Sequence, residues 1–139
     1  MEELQIKSHN RIEMIDITLP VQKLVKQSGV HSGLCVVFVP HTTAAVTINE
    51  NADPCVIQDL LMELNKVIPL QDGYRHSEGN AAAHIKSSLT GCSQTVIIEK
   101  GKLQLGTWQS LFFCEFDGPR DRKVWITIVK GELVKRLRG

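Results

Sequence analysis

The chain has 139 residues, with 16 lysines and arginines against 15 acids and a formal net charge of +1. That length suits one domain with a real core. The interspersed charge lacks the basic footprint of a nucleic-acid binder or of a membrane-surface protein.

From the N-terminus, Leu4 to Lys7 and Glu13 to Thr18 each alternate apolar and polar residues, joined through His9-Asn10-Arg11. The pattern predicts a β-hairpin. Pro20 suits the first turn of a helix, Val21, Leu24 and Val25 give it an apolar face, and Gly29 stops it. Leu34 to Val39 is a continuous apolar run, predicted as a strand buried on both sides. Thr42 to Ile48 is β-branched and predicts another. Asp53 followed by Pro54 marks a helix start. Val56, Ile57, Leu60, Leu61 and Leu64 are spaced for one buried helical face. Gln71 to Glu78 is polar and predicts a loop; Asn80 to Leu89 predicts a short helix closed by Gly91. Thr95 to Glu99, Trp108 to Phe116 and Lys123 to Val129 predict strands. The turn signal Asp117-Gly118-Pro119-Arg120 is expected to let the last strand pair back on the one before it.

The order β-β-α-β-β-α-α-β-β-β predicts one compact α+β domain over 1–139, with a mainly antiparallel sheet and two to three helices. No stretch is long and apolar enough to span a bilayer, and no signal-peptide pattern opens the chain. A cytoplasmic location is the expectation. Cys35, Cys55, Cys92 and Cys114 show no C-x-x-C spacing, and Cys35 and Cys114 sit in apolar runs as core residues do. The basic run Val134 to Gly139 is expected to be a solvated tail.

Polar groups set inside apolar runs point to a site, because burying them is costly unless they are paired or used. His41, His76 and His84 stand beside small and acidic residues, and His76, Glu78, Asn80 and His84 fall within nine positions. Three histidines with an open position suit a catalytic zinc. The plainer alternative is close packing of an alanine-rich helix around satisfied histidines. Gly106, Thr107, Trp108 and Gln109 are expected to shape a pocket rim. Glu115, Asp117, Arg120 and Arg122 offer either an arginine clamp for phosphate or carboxylate or a salt-bridged turn at the surface. Glu50 offers a carboxylate for proton transfer, or only an acid near a helix start.

Four stretches in this order resemble the YjbQ-like family, also described as secondary thiamine-phosphate synthase proteins. They are H-T-T-A-A-V-T-I-N-E (His41 to Glu50), R-H-S-E-G-N-A-A-A-H (Arg75 to His84), L-G-T-W-Q (Leu105 to Gln109) and E-F-D-G-P-R-D-R (Glu115 to Arg122). With the N-terminal strands, the resemblance covers nearly the whole chain. It implies an α+β domain assembled as a homotrimer and a site around His41, His76 and His84, with a divalent metal, foremost zinc, as occupant. It also implies roles for Glu50, Asn80, Trp108, Gln109, Glu115, Asp117, Arg120 and Arg122. Ala82 departs from the pattern, since an acidic residue is expected there in many relatives. The family description implies a transferase that joins a pyrimidine pyrophosphate to a thiazole phosphate.

Two function classes follow. One is a metal-dependent enzyme acting on a small phosphorylated or heterocyclic metabolite. Its metal ligands are His41, His76 and His84, Glu50 or Glu78 handles the proton, and Asn80, Trp108, Gln109, Glu115, Asp117, Arg120 and Arg122 hold the substrate. The other is a non-enzymatic trimer that binds a metabolite or anion. Neither uses nucleic acid or a membrane.

Overall fold

The computed structural model describes residues 1–132, so the run Val134 to Gly139 lies outside the described residues. Eight strands and three helices follow one another: β1 (Glu2–Lys7), β2 (Glu13–Asp16), α1 (Thr18–Ser28), β3 (Gly33–Phe38), β4 (Ala44–Glu50), α2 (Pro54–Val67), α3 (Ala81–Thr90), β5 (Ser93–Glu99), β6 (Lys102–Leu103), β7 (Gln109–Glu115) and β8 (Asp121–Lys130). The α+β class expected from the sequence is the one found.

The strands form two antiparallel sheets rather than one. The larger has the order β1-β8-β3-β5-β6 and the smaller β2-β7-β4. Two expected hairpins are therefore absent. β1 pairs with β8, while β2 pairs with β7. The turn Asp117–Arg120 leads from β7 in the small sheet to β8 in the large one, where β8 lies between β1 and β3. Alternation specifies which face a strand buries, not which neighbour it takes. Here each expected hairpin is divided so that both sheets can close on one core.

That core lies between the sheets. Val37 and Cys35 of β3, Val96 and Ile98 of β5 and Val124 and Ile126 of β8 meet Val46 of β4 and Leu111 and Phe113 of β7. Helix α1 packs Val21 and Val25 against this layer. Gly29, at φ +70°, ends the helix in the left-handed conformation that glycine adopts without steric cost. The opposite face of the small sheet carries a second cluster, Ala45, Cys114 and Phe116, covered by Ala83 of α3 and Leu64 of α2. The small sheet is thus buried on both faces, which is why β7 reads as a continuous apolar run.

β3 is buried on one face only. Leu34 and Phe38 stay exposed on the outer face, where Leu34 is in register with Ile97 and Val129, both exposed as well. Helix α2 starts as predicted, with the Asp53 carboxylate accepting from Cys55 N at 2.9 Å and Pro54 at its first turn. The expected buried face of α2 is only half-covered, for none of its residues is fully buried.

Candidate functional site

The chain leaves β7 at Glu115 and enters β8 at Asp121, and this crossing brings four polar segments together. Glu115 is 0% exposed and Arg122 4%. Arg122 Nε donates to Glu115 Oε1 at 2.9 Å and Nη2 to Oε2 at 2.5 Å. Nη2 also donates to Thr43 Oγ1 at 2.9 Å, and Ser8 Oγ donates to Glu115 Oε1 at 2.6 Å. The Asp117 amide donates to Glu115 Oε2 at 3.1 Å. Burial by itself would push the Glu115 carboxyl up, but the hydrogen bonds from Arg122, Ser8 and Asp117 outweigh it and hold the carboxyl below its ordinary value. Glu115 and Arg122 are thus an interior pair, and of the salt-bridged surface turn that the sequence offered as one alternative only Asp117 and Arg120 remain. The interior pair acts as scaffold, since the fork of Arg122 is spent inside the protein.

Gly118 permits the crossing. A Cβ there would lie 2.3 Å from Asn10 O and 2.8 Å from both Glu115 Cγ and Ser8 Oγ. Beyond it, Arg120 Nε donates to Asp117 O at 2.8 Å and Nη2 to Asp117 Oδ2 at 3.1 Å. Asn80 Nδ2 donates to the same Oδ2 at 2.8 Å. Asp117 therefore holds the start of α3 and the Arg120 side chain together.

Helix α3 begins at Asn80 with no side-chain cap and no acidic residue in its first turn. Gly79, at φ +76°, lets the polar loop turn sharply into it. The loop returns His76 to His84, with ring centroids 5.2 Å apart and planes nearly perpendicular at 81°. His76 Nε2 is 3.8 Å from Glu78 Oε2, and both side chains are well exposed. His76, Glu78, Asn80, His84, Asp117 and Arg120, with Thr42, Thr43 and Arg122, line one polar cleft of about 330 Å³.

His41 does not join the other two histidines as a metal ligand. Its Nε2 accepts from the Lys123 amide at 2.9 Å, which leaves the ring proton of the neutral form on Nδ1. Burial first, then the positive charge of Arg122, pulls this imidazole below its ordinary range against the opposing pull of Glu115. Neither nitrogen offers a lone pair in this arrangement. Among the described residues, no three or more His, Cys, Asp or Glu side chains converge in a geometry that could hold a metal ion. The expected zinc centre on His41, His76 and His84 is corrected accordingly: loop and helix pair two imidazoles, and the third is spent on a strand amide.

Three further expected residues lie elsewhere. In the antiparallel register of β4 and β7, Ala44 faces Glu115 at one end and Glu50 faces Gln109 at the other. Six extended residues separate the ends by about 20 Å. Glu50 and the Trp108–Gln109 pair therefore stand remote from the cleft within this chain. Gln109 Oε1 accepts from Gly106 N at 2.8 Å and shapes its own turn, beside an exposed Trp108. Ser8 and Thr43, which hold the buried pair, were not singled out from the sequence. A lone serine after a strand and a threonine in a β-branched run carry no signal that they meet a buried ion pair more than 70 residues away.

Comparison with known proteins agrees with this architecture. Residues 2–131 match the family model described as UPF0047 protein YjbQ-like. A UPF0047 protein of Methanocaldococcus jannaschii is 53% identical over 125 residues, covering 90% of this chain and 91% of that relative. The UPF0047 protein YugU of Bacillus subtilis is 52% identical over 130 residues, covering 93% and 98%. A crystal structure of a conserved YjbQ/UPF0047-family protein from Clostridium acetobutylicum superposes with a TM-score of 0.91 at 57% identity, covering 93% of this chain and all of that one. A protein from Sulfolobus solfataricus, described as YbjQ-like and of unknown function, superposes with a TM-score of 0.90 at 31% identity, covering 94% and 96%. The thiamine-phosphate synthase description is corrected here as well, because these relatives carry family names or the words unknown function and no such activity. The matched span, the identities and the shared architecture place the chain in the UPF0047 family of YjbQ-like proteins.

Proposed function

We propose that the cleft at the start of α3 binds a small anionic metabolite, phosphorylated or carboxylate-bearing, and exchanges a proton with it through His76 and His84. The observation that carries this reading is the convergence of His76, His84 and the half-exposed Arg120 in one polar cleft beside Asn80, where α3 starts. The first-turn amides of a helix lack intrahelical acceptors and its positive pole favours an anion. Around it stand the hydroxyls of Thr42 and Thr43, two imidazoles and the half-exposed Arg120, whose Nη1 takes no part in the Asp117 pairing. Imidazole is the side chain suited to proton exchange near neutral pH, and Glu78 supplies a carboxylate beside His76.

The second reading is binding without turnover in a homotrimer. It is favoured by the exposed apolar stripe of Leu34, Phe38, Ile97 and Val129 on the outer face of the large sheet, which assembly would cover. A cytoplasmic setting accords with either reading. Four free cysteines suit a reducing compartment, and no helix among the described residues is long and apolar enough to cross a membrane.

Thermal melts with inorganic phosphate, pyrophosphate and a panel of small phosphorylated metabolites test the site. A saturable rise in melting temperature that is lost in His84→Ala and in Arg120→Met is the expected result. An equal rise in both variants would overturn the assignment. Product analysis of the shifted mixtures then separates enzyme from binder.

A further inference from the structure

A second cavity of about 300 Å³ lies on the other side of Asn80 and Asp117, against α3. The histidines take no part in it. Ile12, Leu70 and Phe116 contribute apolar wall, and Ala82 and Ala83 leave room by their small size. Into this wall α3 sets Lys86, which is only 3% exposed. Its Nζ donates to Asn65 Oδ1 at 2.5 Å, and among the described residues it makes no ion pair with a carboxylate. An ammonium carries three donors, so two remain after Asn65. A buried, unpaired ammonium is expensive, whereas a neutral buried amine is cheap and nucleophilic. Burial lowers the pKa of Lys86 and so favours the amine.

Two more residues that line this cavity carry polar atoms without a protein partner. Asn80 is 8% exposed, and its Oδ1 accepts no hydrogen bond, although buried side-chain acceptors are nearly always satisfied. Arg11 lines the cavity from the exposed side and makes no ion pair among the described residues. A fitting ligand offers an electrophilic carbonyl carbon to Lys86, a hydroxyl or N–H to Asn80 Oδ1 and a negative charge to Arg11. Its body is small enough for an apolar pocket of this size, at the lower end of ligand sites.

We propose that this cavity is a second ligand site, which takes a small hydroxylated 2-oxo acid and joins it to Lys86 as an imine. The neutral Nζ adds to the carbonyl carbon. A C–N bond forms, and the carbonyl π pair moves to oxygen, which takes up a proton leaving the nitrogen. The carbinolamine then breaks its C–O bond as C=N forms, and the remaining nitrogen proton departs with the hydroxyl as water. No oxidant or reductant enters this condensation. The proposal does not rest on the anion reading of the neighbouring cleft, with which it shares only Asn80 and Asp117.

The test is to incubate the full chain with hydroxypyruvate and sodium cyanoborohydride, then measure intact mass and map the modified peptide. One reduced adduct per chain is expected, on Lys86, forming ahead of any adduct on exposed Lys66 or Lys102, because the cavity holds the carbonyl against a lysine whose burial favours the free amine. Lys86→Met should abolish it. Ala82→Phe, which fills the cavity and keeps the lysine, should suppress it. Adducts spread evenly over exposed lysines, no adduct at all, or labelling unchanged in Ala82→Phe would each overturn the proposal. The mapping on wild-type protein decides the matter even where Lys86→Met does not fold.

Discussion

Glu115 and Arg122 form a buried two-pronged ion pair that ties the end of one sheet to the start of the other. Glu115 closes β7 in the small sheet, and Arg122 stands one residue into β8 in the large one. The chain between them makes the polar turn of the cleft, so the pair fixes where Asp117 and Arg120 stand. Its partners Ser8 and Thr43 come from two further segments.

Removing one member of this pair leaves the other as an uncompensated buried charge. Arg122→Met is expected to cost about 3–5 kcal/mol of stability, read as a lower midpoint in urea. Glu115→Leu combined with Arg122→Met should recover much of that loss, because two well-packed apolar residues desolvate nothing. A double variant that falls by the sum of the single losses would show that the pair does not act as a unit.

The same carboxylate sets an acid limit. The folded pKa of Glu115 lies below its ordinary value near 4.5, so the unfolded chain takes up the proton first as pH falls. The stability that the pair provides is complete above about pH 4.5 and is lost as pH drops through the lower folded value. Urea midpoints measured from pH 6 down to pH 3 should fall more steeply for the wild type than for Glu115→Gln, whose side chain cannot titrate. Parallel curves would assign the acid sensitivity to other groups.

Gly118→Ala should destabilise the fold without altering any charge. The added methyl would meet Asn10 O at 2.3 Å, and a backbone oxygen cannot swing aside as a side chain can. Overpacking of this kind costs about 1–3 kcal/mol. Calorimetry should show a lower melting temperature, together with weaker phosphate protection, since the turn that carries Arg120 must shift.

Leu34→Glu tests whether the outer stripe is an assembly surface. Leu34 lies between Ile97 and Val129 in register, so a charge there would be buried in any assembly that covers the stripe. Sedimentation velocity is expected to show a trimer for the wild type and a shift to monomer for Leu34→Glu, with unchanged circular dichroism. A trimer that survives the substitution would place the assembly surface elsewhere.

Local chemistry was legible along most of the chain. Asp53-Pro54 starts α2, Gly29 ends α1 and Gly91 follows α3, because capping and glycine conformation act within a turn of helix. The four polar motifs marked the residues that line the cleft, except for those at the Glu50 and Trp108 end. Lys86 carries a signal of its own in the sequence. It lies three and four residues after Ala83 and Ala82, on the helix face that the alanines mark as closely packed.

The amino-acid sequence by itself determined the α+β class, the elements other than the two-residue β6 and the grouping of His76, Asn80 and His84, all of which arise from neighbours within a few positions. Only the tertiary structure decided that the strands divide between two sheets, that His41 gives its Nε2 to a strand amide, and that Glu50 and Gln109 stand a strand's length from Glu115. It alone made Glu115 with Arg122 an interior clamp and set Lys86 in the wall of a cavity. Periodicity reports which face of an element is buried. Which distant residue it meets there, and how dry the meeting place is, depends on how the layers close, and no spacing in the sequence encodes that.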